Sequence, residues 1–254
     1  MPATGDNRCM HNIIVLHNII VLHYYMYFIV DNNRKILFGW SAKCGCTHLK
    51  RIFYFLKNNK MNNKPIHAHN DYDKLPDDIE EYTVIIVSRN PYERIVSGFL
   101  DKYRVGGGFR HLWKHDTITF SKFVEETVKG DWKMVERHHF TPQTTENFNK
   151  SIMLSKCIKC YDIKKIDYKY IEELYNNISI PERVLTKKEG HERKNYSETI
   201  TYNVFDLEMT DYYDFNVNFK YFYNEELKNK VYNFYKNDFI FFNEMGLDYA
   251  APEV

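Results

Sequence analysis

Five cysteines in 254 residues are too few and too scattered to staple a small disulfide scaffold: they are Cys9, Cys44, Cys46, Cys157 and Cys160. Cys157 and Cys160 form a CxxC, but no second ligand pair follows at zinc-finger spacing. That argues against a metal site and leaves a local disulfide or two packed thiols. An excess of either charge is also lacking, with 35 Lys and Arg against 34 Asp and Glu, a net charge of +1. No global field draws the chain to nucleic acid, so a basic site must be local. The Walker A pattern GxxxxGKS/T is absent, which disfavours an ATP or GTP kinase of the usual P-loop kind. Gly106-Gly107-Gly108 follows a helical pattern and not a strand, so it is no dinucleotide fingerprint. The longest apolar run, Ile13 to Val30, is broken by His17, Asn18 and His23, and no small-residue cleavage site follows. It reads as strand-forming sequence in preference to a membrane anchor, and it carries HNIIVL twice, at 11–16 and 17–22.

What the chain does contain is centred on Lys35 to Phe55. Ile36, Leu37 and Phe38 suit a buried strand; Ser41, Ala42, Cys44, Gly45 and Cys46 then make a tight loop, and a helical pattern starts at Thr47. Such a loop aims backbone N–H groups and the positive end of the helix dipole at one spot, to which Lys43 and Thr47 add a charge and a hydroxyl. A phosphate or sulfate suits that spot, although the same turn also serves as an ordinary strand-to-helix connection with Gly45 only reversing the backbone.

Further elements follow in order. Residues 24–30 and 35–40 read as a strand, turn, strand unit, and Leu49, Ile52, Phe53 and Leu56 mark one face of a helix over 47–56. Tyr82 to Ser88 is a β-branched run typical of a parallel strand covered on both sides. It ends at Arg89-Asn90-Pro91, where Pro91 opens a helix to about Tyr103 with Tyr92, Ile95, Val96 and Phe99 inward and Arg94 and Ser97 facing elsewhere. Helices are expected over 120–129 and 168–175, and strands at Ile152 to Leu154 and at Val184-Leu185. One long helix is expected after the cap Asn224, stopped by Gly246.

Two stretches resemble the nucleotide motifs of the sulfotransferase superfamily that uses 3′-phosphoadenosine 5′-phosphosulfate (PAPS). The chain is most similar there to the membrane-type carbohydrate sulfotransferases, such as the chondroitin and dermatan 4-O-sulfotransferases. Ala42-Lys43-Cys44-Gly45-Cys46-Thr47-His48-Leu49-Lys50-Arg51 resembles the family's PKxGCTxxKR, with Ala42 in place of proline. Ser88-Arg89-Asn90-Pro91-Tyr92-Glu93-Arg94-Ile95-Val96-Ser97 and Lys102 resemble VRxPxERxxSxxxxK. His139-Phe140-Thr141-Pro142-Gln143, the CxxC, Tyr161-Asp162-Ile163 and Asp238-Phe239-Ile240-Phe241-Phe242 resemble further family segments.

The resemblance implies a three-layer, P-loop-like α/β fold over residues 24–250, with a mostly parallel central sheet flanked by helices, preceded by an N-terminal segment 1–23. It implies that Lys43 meets the bridging oxygen of the phosphosulfate, stabilising charge on the leaving phosphate. It implies that the N–H groups of Cys44, Gly45, Cys46, Thr47 and His48, with the Thr47 hydroxyl, hold the 5′-phosphate, and that Arg89 and Ser97 bind the 3′-phosphate. Arg193, Lys194 and Ser197 fall where relatives carry a cofactor-covering loop. In the related uronyl 2-O-sulfotransferases an HxH element between the two motifs supplies the base, and His67-Ala68-His69 occupies that interval. His69 and then His67 are therefore the expected bases, with Glu93, His138 and His139 behind them, and no metal is required.

The expected reaction is sulfuryl transfer from PAPS to a carbohydrate hydroxyl, leaving 3′-phosphoadenosine 5′-phosphate (PAP). The competing readings are a catalytically silent protein of the same fold that binds PAP or a glycan, for which Ala42 leaves room, and a sulfotransferase acting on a protein tyrosine or a small molecule. A P-loop phosphotransferase is weakened by the missing Walker A. Asn149, Asn177 and Asn195 lie in glycosylation sequons, but a glycan on Asn195 would obstruct a cofactor site there. That favours a soluble cytoplasmic protein over one of the Golgi lumen.

Overall fold

The computed structural model describes residues 26–61, 74–186 and 198–253. A four-stranded sheet is built from β1 (Tyr27–Asp31), β2 (Ile36–Trp40), β3 (Thr83–Ser88) and β4 (Cys157–Asp162), in the order β1-β2-β3-β4, with β2 and β3 as apolar runs buried on both faces. The β1-β2 pair is an antiparallel hairpin, while β2, β3 and β4 run parallel. The sheet is thus mostly parallel, and its parallel strands are linked by helical crossovers.

The helices are α1 (Cys46–Asn58), α2 (Pro91–Lys102), α3 (Phe120–Lys129), α4 (Arg137–Phe140), α5 (Glu146–Ile152), α6 (Tyr168–Leu174), α7 (Glu182–Thr186), α8 (Glu225–Phe234) and α9 (Lys236–Glu244). Two short strands, β5 (Thr199–Ile200) and β6 (Asn216–Val217), pair in parallel apart from the main sheet. Because side chains alternate along a strand, Phe38, Trp40, Ile85 and Val87 face one side, where they pack on Leu49, Ile52 and Phe53 of α1 and on Ile171 and Val184 of α6 and α7. Phe28, Leu37, Val84 and Ile86 face the other, against Phe148 and Ile152 of α5 and Phe241 and Phe242 of α9. Helices α2, α3 and α8 share a third cluster around Phe99, Phe120, Phe123 and Val231. Helices therefore cover both faces of the sheet, as expected of a P-loop-like α/β fold.

Four sequence expectations are corrected. Ile152 to Leu154 is no strand: Ile152 ends α5 fully buried, Met153 and Leu154 are 54% and 67% exposed, and the strand begins at Cys157. The CxxC therefore lies on β4, where residues three apart point to opposite faces. Cys157 neighbours the Tyr170 hydroxyl, Cys160 joins the α5/α9 side, and both are free thiols. Val184-Leu185 is helical, within a short helix that follows Pro181 and opens with Glu182, a start favoured by the proline's fixed φ and by the dipole. The long C-terminal helix is two, broken at Tyr235 (φ −100°, ψ 20°), whose hydroxyl donates to the Phe140 carbonyl at 2.6 Å. The break turns α9 so that Asp238, Phe241 and Phe242 point inward.

Helix α2 approaches α4 through Gly98, where a methyl group would stand 2.5 Å from the fully buried Phe140 ring. Alanine is a better helix former than glycine by about 1 kcal/mol, but overpacking a fixed core ring costs about 1–3 kcal/mol. Gly98→Ala is expected to lower stability by up to about 2 kcal/mol in urea denaturation, although propensity alone would make it stabilising.

Candidate active site

Strand β2 ends at Trp40 and the chain turns at once into the loop 41–45. Lys43 (φ 68°) and Gly45 (φ 74°) both take left-handed backbone on either side of Cys44, and the Cys44 N–H closes the turn onto the Ser41 carbonyl at 3.1 Å. For Lys43 that conformation is strained, of a kind that persists where the surroundings enforce it. No side chain caps α1 and no acidic residue stands in its first turn, whereas Asn90, Thr119 and Thr145 cap α2, α3 and α5. The first N–H groups of a helix lack intrahelical partners, so this start offers donors and a positive dipole end to an anion. Thr47 is half-buried beside Cys46, while the His48 ring turns to the Tyr168 hydroxyl at 2.9 Å, its pKa lowered by burial and by Arg51.

Strand β3 runs parallel beside β2, so its carboxyl end brings Arg89 next to this loop. Gln143 staples the two together: its Oε1 accepts the Cys44 thiol proton at 2.9 Å and the Arg89 N–H at 3.2 Å, and its Nε2 donates to the Arg89 carbonyl at 3.0 Å. Burial pushes the Cys44 thiol up to about 11, which keeps it a donor. Gln143 is in turn fixed by Asp238, fully buried on α9. The Asp238 carboxylate accepts from the Gln143 N–H (2.8 Å), the Gln143 side-chain amide (3.3 Å), the Thr144 N–H (2.7 Å) and the Thr144 hydroxyl (3.2 Å). Arg94 is 1% exposed and does not face outward as the helical pattern suggested. Its Nε donates to the Ala42 carbonyl at 2.9 Å and its Nη1 to the Thr141 carbonyl at 2.7 Å.

The cations converge around one carboxylate. Lys43 Nζ lies 2.9 Å from Asp101 Oδ2, and Lys102 Nζ lies 3.1 Å from the same oxygen. Burial pushes the Lys43 ammonium below its ordinary range while Asp101 pulls it back. Asp101 itself is raised by burial but held down to about 2 by Lys43 and Lys102, so it is ionised at neutral pH. Arg89 contacts Glu93 at 3.6 Å, and Glu93 also meets Lys164 at 2.6 Å. Ser97 is half-buried on α2. His67, His69, Arg193, Lys194 and Ser197 lie outside the described residues.

A model of the sulfotransferase family matches residues 26–243, most of the chain and both loops. The chain belongs to the sulfotransferase family. No curated protein and no solved structure matches it. This sulfotransferase therefore carries the enzymatic activity of its family, transfer of a sulfuryl group, and the family normally takes PAPS as donor.

Sequence reasoning missed the residues that hold the sulfotransferase site together. Gln143 and Asp238 were visible only as parts of resembling segments with no role attached, and Asp101 carried no signal apart from its place before Lys102. The Asp238 carboxyl, raised from 3.8 to about 6 chiefly by burial and partly restored by its hydrogen bonds and Arg94, gives a pH test. Between those values the folded protein binds the extra proton, so this group's contribution to stability is fully present below pH 3.8 and is lost as the pH rises through about 6. In urea titrations the stability difference, wild type minus Asp238→Asn, should fall by about 3 kcal/mol from pH 3.5 to 7. A difference that stays flat with pH contradicts the assignment.

Proposed function

We propose that this sulfotransferase moves the sulfuryl group of PAPS onto a carbohydrate hydroxyl. The observation that supports the reading is the staple: Gln143 holds the loop that carries Lys43 and the loop that carries Arg89 side by side. A nucleotide with phosphates at both 5′ and 3′ positions matches that pair, whereas ADP or ATP leaves the Arg89 loop unused. The residues present fit the donor: a strained lysine, an uncapped helix start and a threonine hydroxyl on one side, and Arg89, Ser97 and Lys102 on the other.

In this reading the N–H groups of Cys44 to His48 and the Thr47 hydroxyl hold the 5′-phosphate, and Arg89 and Ser97 hold the 3′-phosphate. PAPS supplies an activated sulfuryl group on a phosphate leaving group. Lys43 exchanges Asp101 for the bridging oxygen and stabilises the charge that develops there. Arg193, Lys194 and Ser197 cover the nucleotide. The resemblance puts His69 first and His67 second as base. Ala42, where relatives carry proline, does not open the loop: it is 3% exposed and its carbonyl is held by Arg94, which supports an active enzyme over a silent one.

Calorimetric titration tests the nucleotide. PAP should bind at least about tenfold more tightly than ADP, and Arg89→Ala should weaken PAP by about tenfold or more while leaving ADP nearly unchanged. Equal binding of PAP and ADP by the wild type would overturn the reading.

A further inference from the structure

We infer that Glu136 and His139 form the proton-accepting pair of the transfer, with His139 as the base and Glu136 as the residue that positions it. The inference rests on the sulfuryl-transfer reading above and departs from it at one point, taking His139 in place of His69 or His67 as the group that accepts the acceptor's proton. The pair is built by one short turn. Glu136 precedes α4 and its carboxylate accepts the His138 N–H at 2.9 Å, the His139 N–H at 3.0 Å and the His139 ring Nδ1 at 2.6 Å. Its own N–H donates to the Tyr103 hydroxyl at 2.8 Å, which donates onward to the Met134 carbonyl at 3.1 Å. Burial raises the Glu136 carboxyl, but the bonds from His139 and the two backbone groups outweigh it and the net shift is downward. An ionised carboxylate only accepts, so Nδ1 carries a proton, and in the neutral ring Nε2 is left with its lone pair.

The neighbouring imidazole has the opposite environment. His138 Nδ1 meets the Tyr27 hydroxyl at 2.8 Å, its ring packs on Tyr27 and Trp40, and burial lowers its pKa to about 4. That is a neutral, structural histidine. His139 and Glu136 remain 17% and 21% exposed. Among the described residues, the titratable groups facing His139 are Glu136 and His138 on its own turn, and the Phe109 ring packs on it at 5.4 Å from the segment after α2.

Two chains of contacts link the segment that bears the pair to the segments around Lys43. The Arg94 guanidinium bridges the carbonyls of Ala42, one residue before Lys43, and Thr141, two residues after His139. Phe109 is tied by its N–H to the Lys102 carbonyl at 3.0 Å, and Lys102 shares Asp101 with Lys43. The step balances without any further reagent. As the acceptor oxygen bonds to sulfur, its O–H bond breaks and the proton passes to His139 Nε2. The bond from sulfur to the bridging phosphate oxygen breaks, and its electron pair stays on that oxygen. The Glu136 carboxylate offsets the imidazolium charge until the proton is released to water.

The test uses the full chain, PAPS and a mixed pool of desulfated chondroitin and dermatan chains, with His139→Asn, Glu136→Gln and His69→Asn assayed together. His139→Asn should lower kcat by about a hundredfold or more and leave PAP affinity within about twofold. The two backbone N–H groups reach different oxygens of Glu136, so Glu136→Gln keeps one of them through its amide oxygen and loses the other; it should lower kcat by about tenfold and move the acid limb of the pH profile to lower pH, which a merely structural residue would not do. NMR of isotope-labelled histidine should find His139 held as the Nδ1–H tautomer and released in Glu136→Gln. Wild-type kcat in His139→Asn, or the Nε2–H tautomer in the wild type, overturns the inference. Where the pool accepts no sulfate, the tautomer result decides for or against the pair. Failure of the wild type to prefer PAP over ADP is a separate outcome, which removes the donor reading and with it the role of the pair.

Discussion

The hydrogen bonds that Asp238 and Gln143 make in the core are the constraint on which the site depends. Neither anion-facing loop is fixed by the sheet alone, because β2 and β3 end before the residues that matter. The Gln143 amide spans the two loops, and the Asp238 carboxylate accepts from the backbone and side chains of Gln143 and Thr144 from α9, which covers the same sheet face as α5. A buried carboxylate is expensive unless its lone pairs are filled, and here four donors fill them. The cost is retained because the geometry it enforces cannot be obtained from apolar packing, which fixes volume but not direction. Arg94 extends the same network, joining the Lys43 loop to the segment that bears His139.

Electrostatics then follows from position. Lys43, Lys102 and Arg89 lie around the carboxyl ends of β2 and β3, and in the structure their charge is balanced by Asp101 and Glu93. Nearly equal totals of acidic and basic residues hide this local surplus, and the net charge of +1 says nothing about it.

Legibility in the sequence followed the range of the interaction. Strands β1, β2 and β3 and helices α1, α2 and α3 were readable because each carries its own period and its own start signal, such as Pro91 or the small-residue loop before Cys46. The loop cations were readable because the two motifs are local. Arg94 was misread because a charge on an apolar helix is ordinarily solvated, and only the carbonyls of Ala42 and Thr141, 52 and 47 residues away, explain its burial. The Asp238 bond to Gln143 spans 95 residues, and no window of sequence contains both. The break at Tyr235 was invisible for the same reason, since its cause is a carbonyl on α4. His139 stood among fallback bases because its carboxylate partner, although only three residues earlier, reads as an ordinary helix cap.

The most direct measurement of the central claim, that one buried amide makes two loops into one nucleotide site, is calorimetric titration of PAP into Gln143→Ala, with circular dichroism to establish that the variant is folded. With the staple removed, both loops lose their shared anchor, and PAP affinity should fall by about tenfold or more although Gln143 is itself buried away from the ligand. A folded Gln143→Ala that binds PAP as tightly as the wild type would contradict the account.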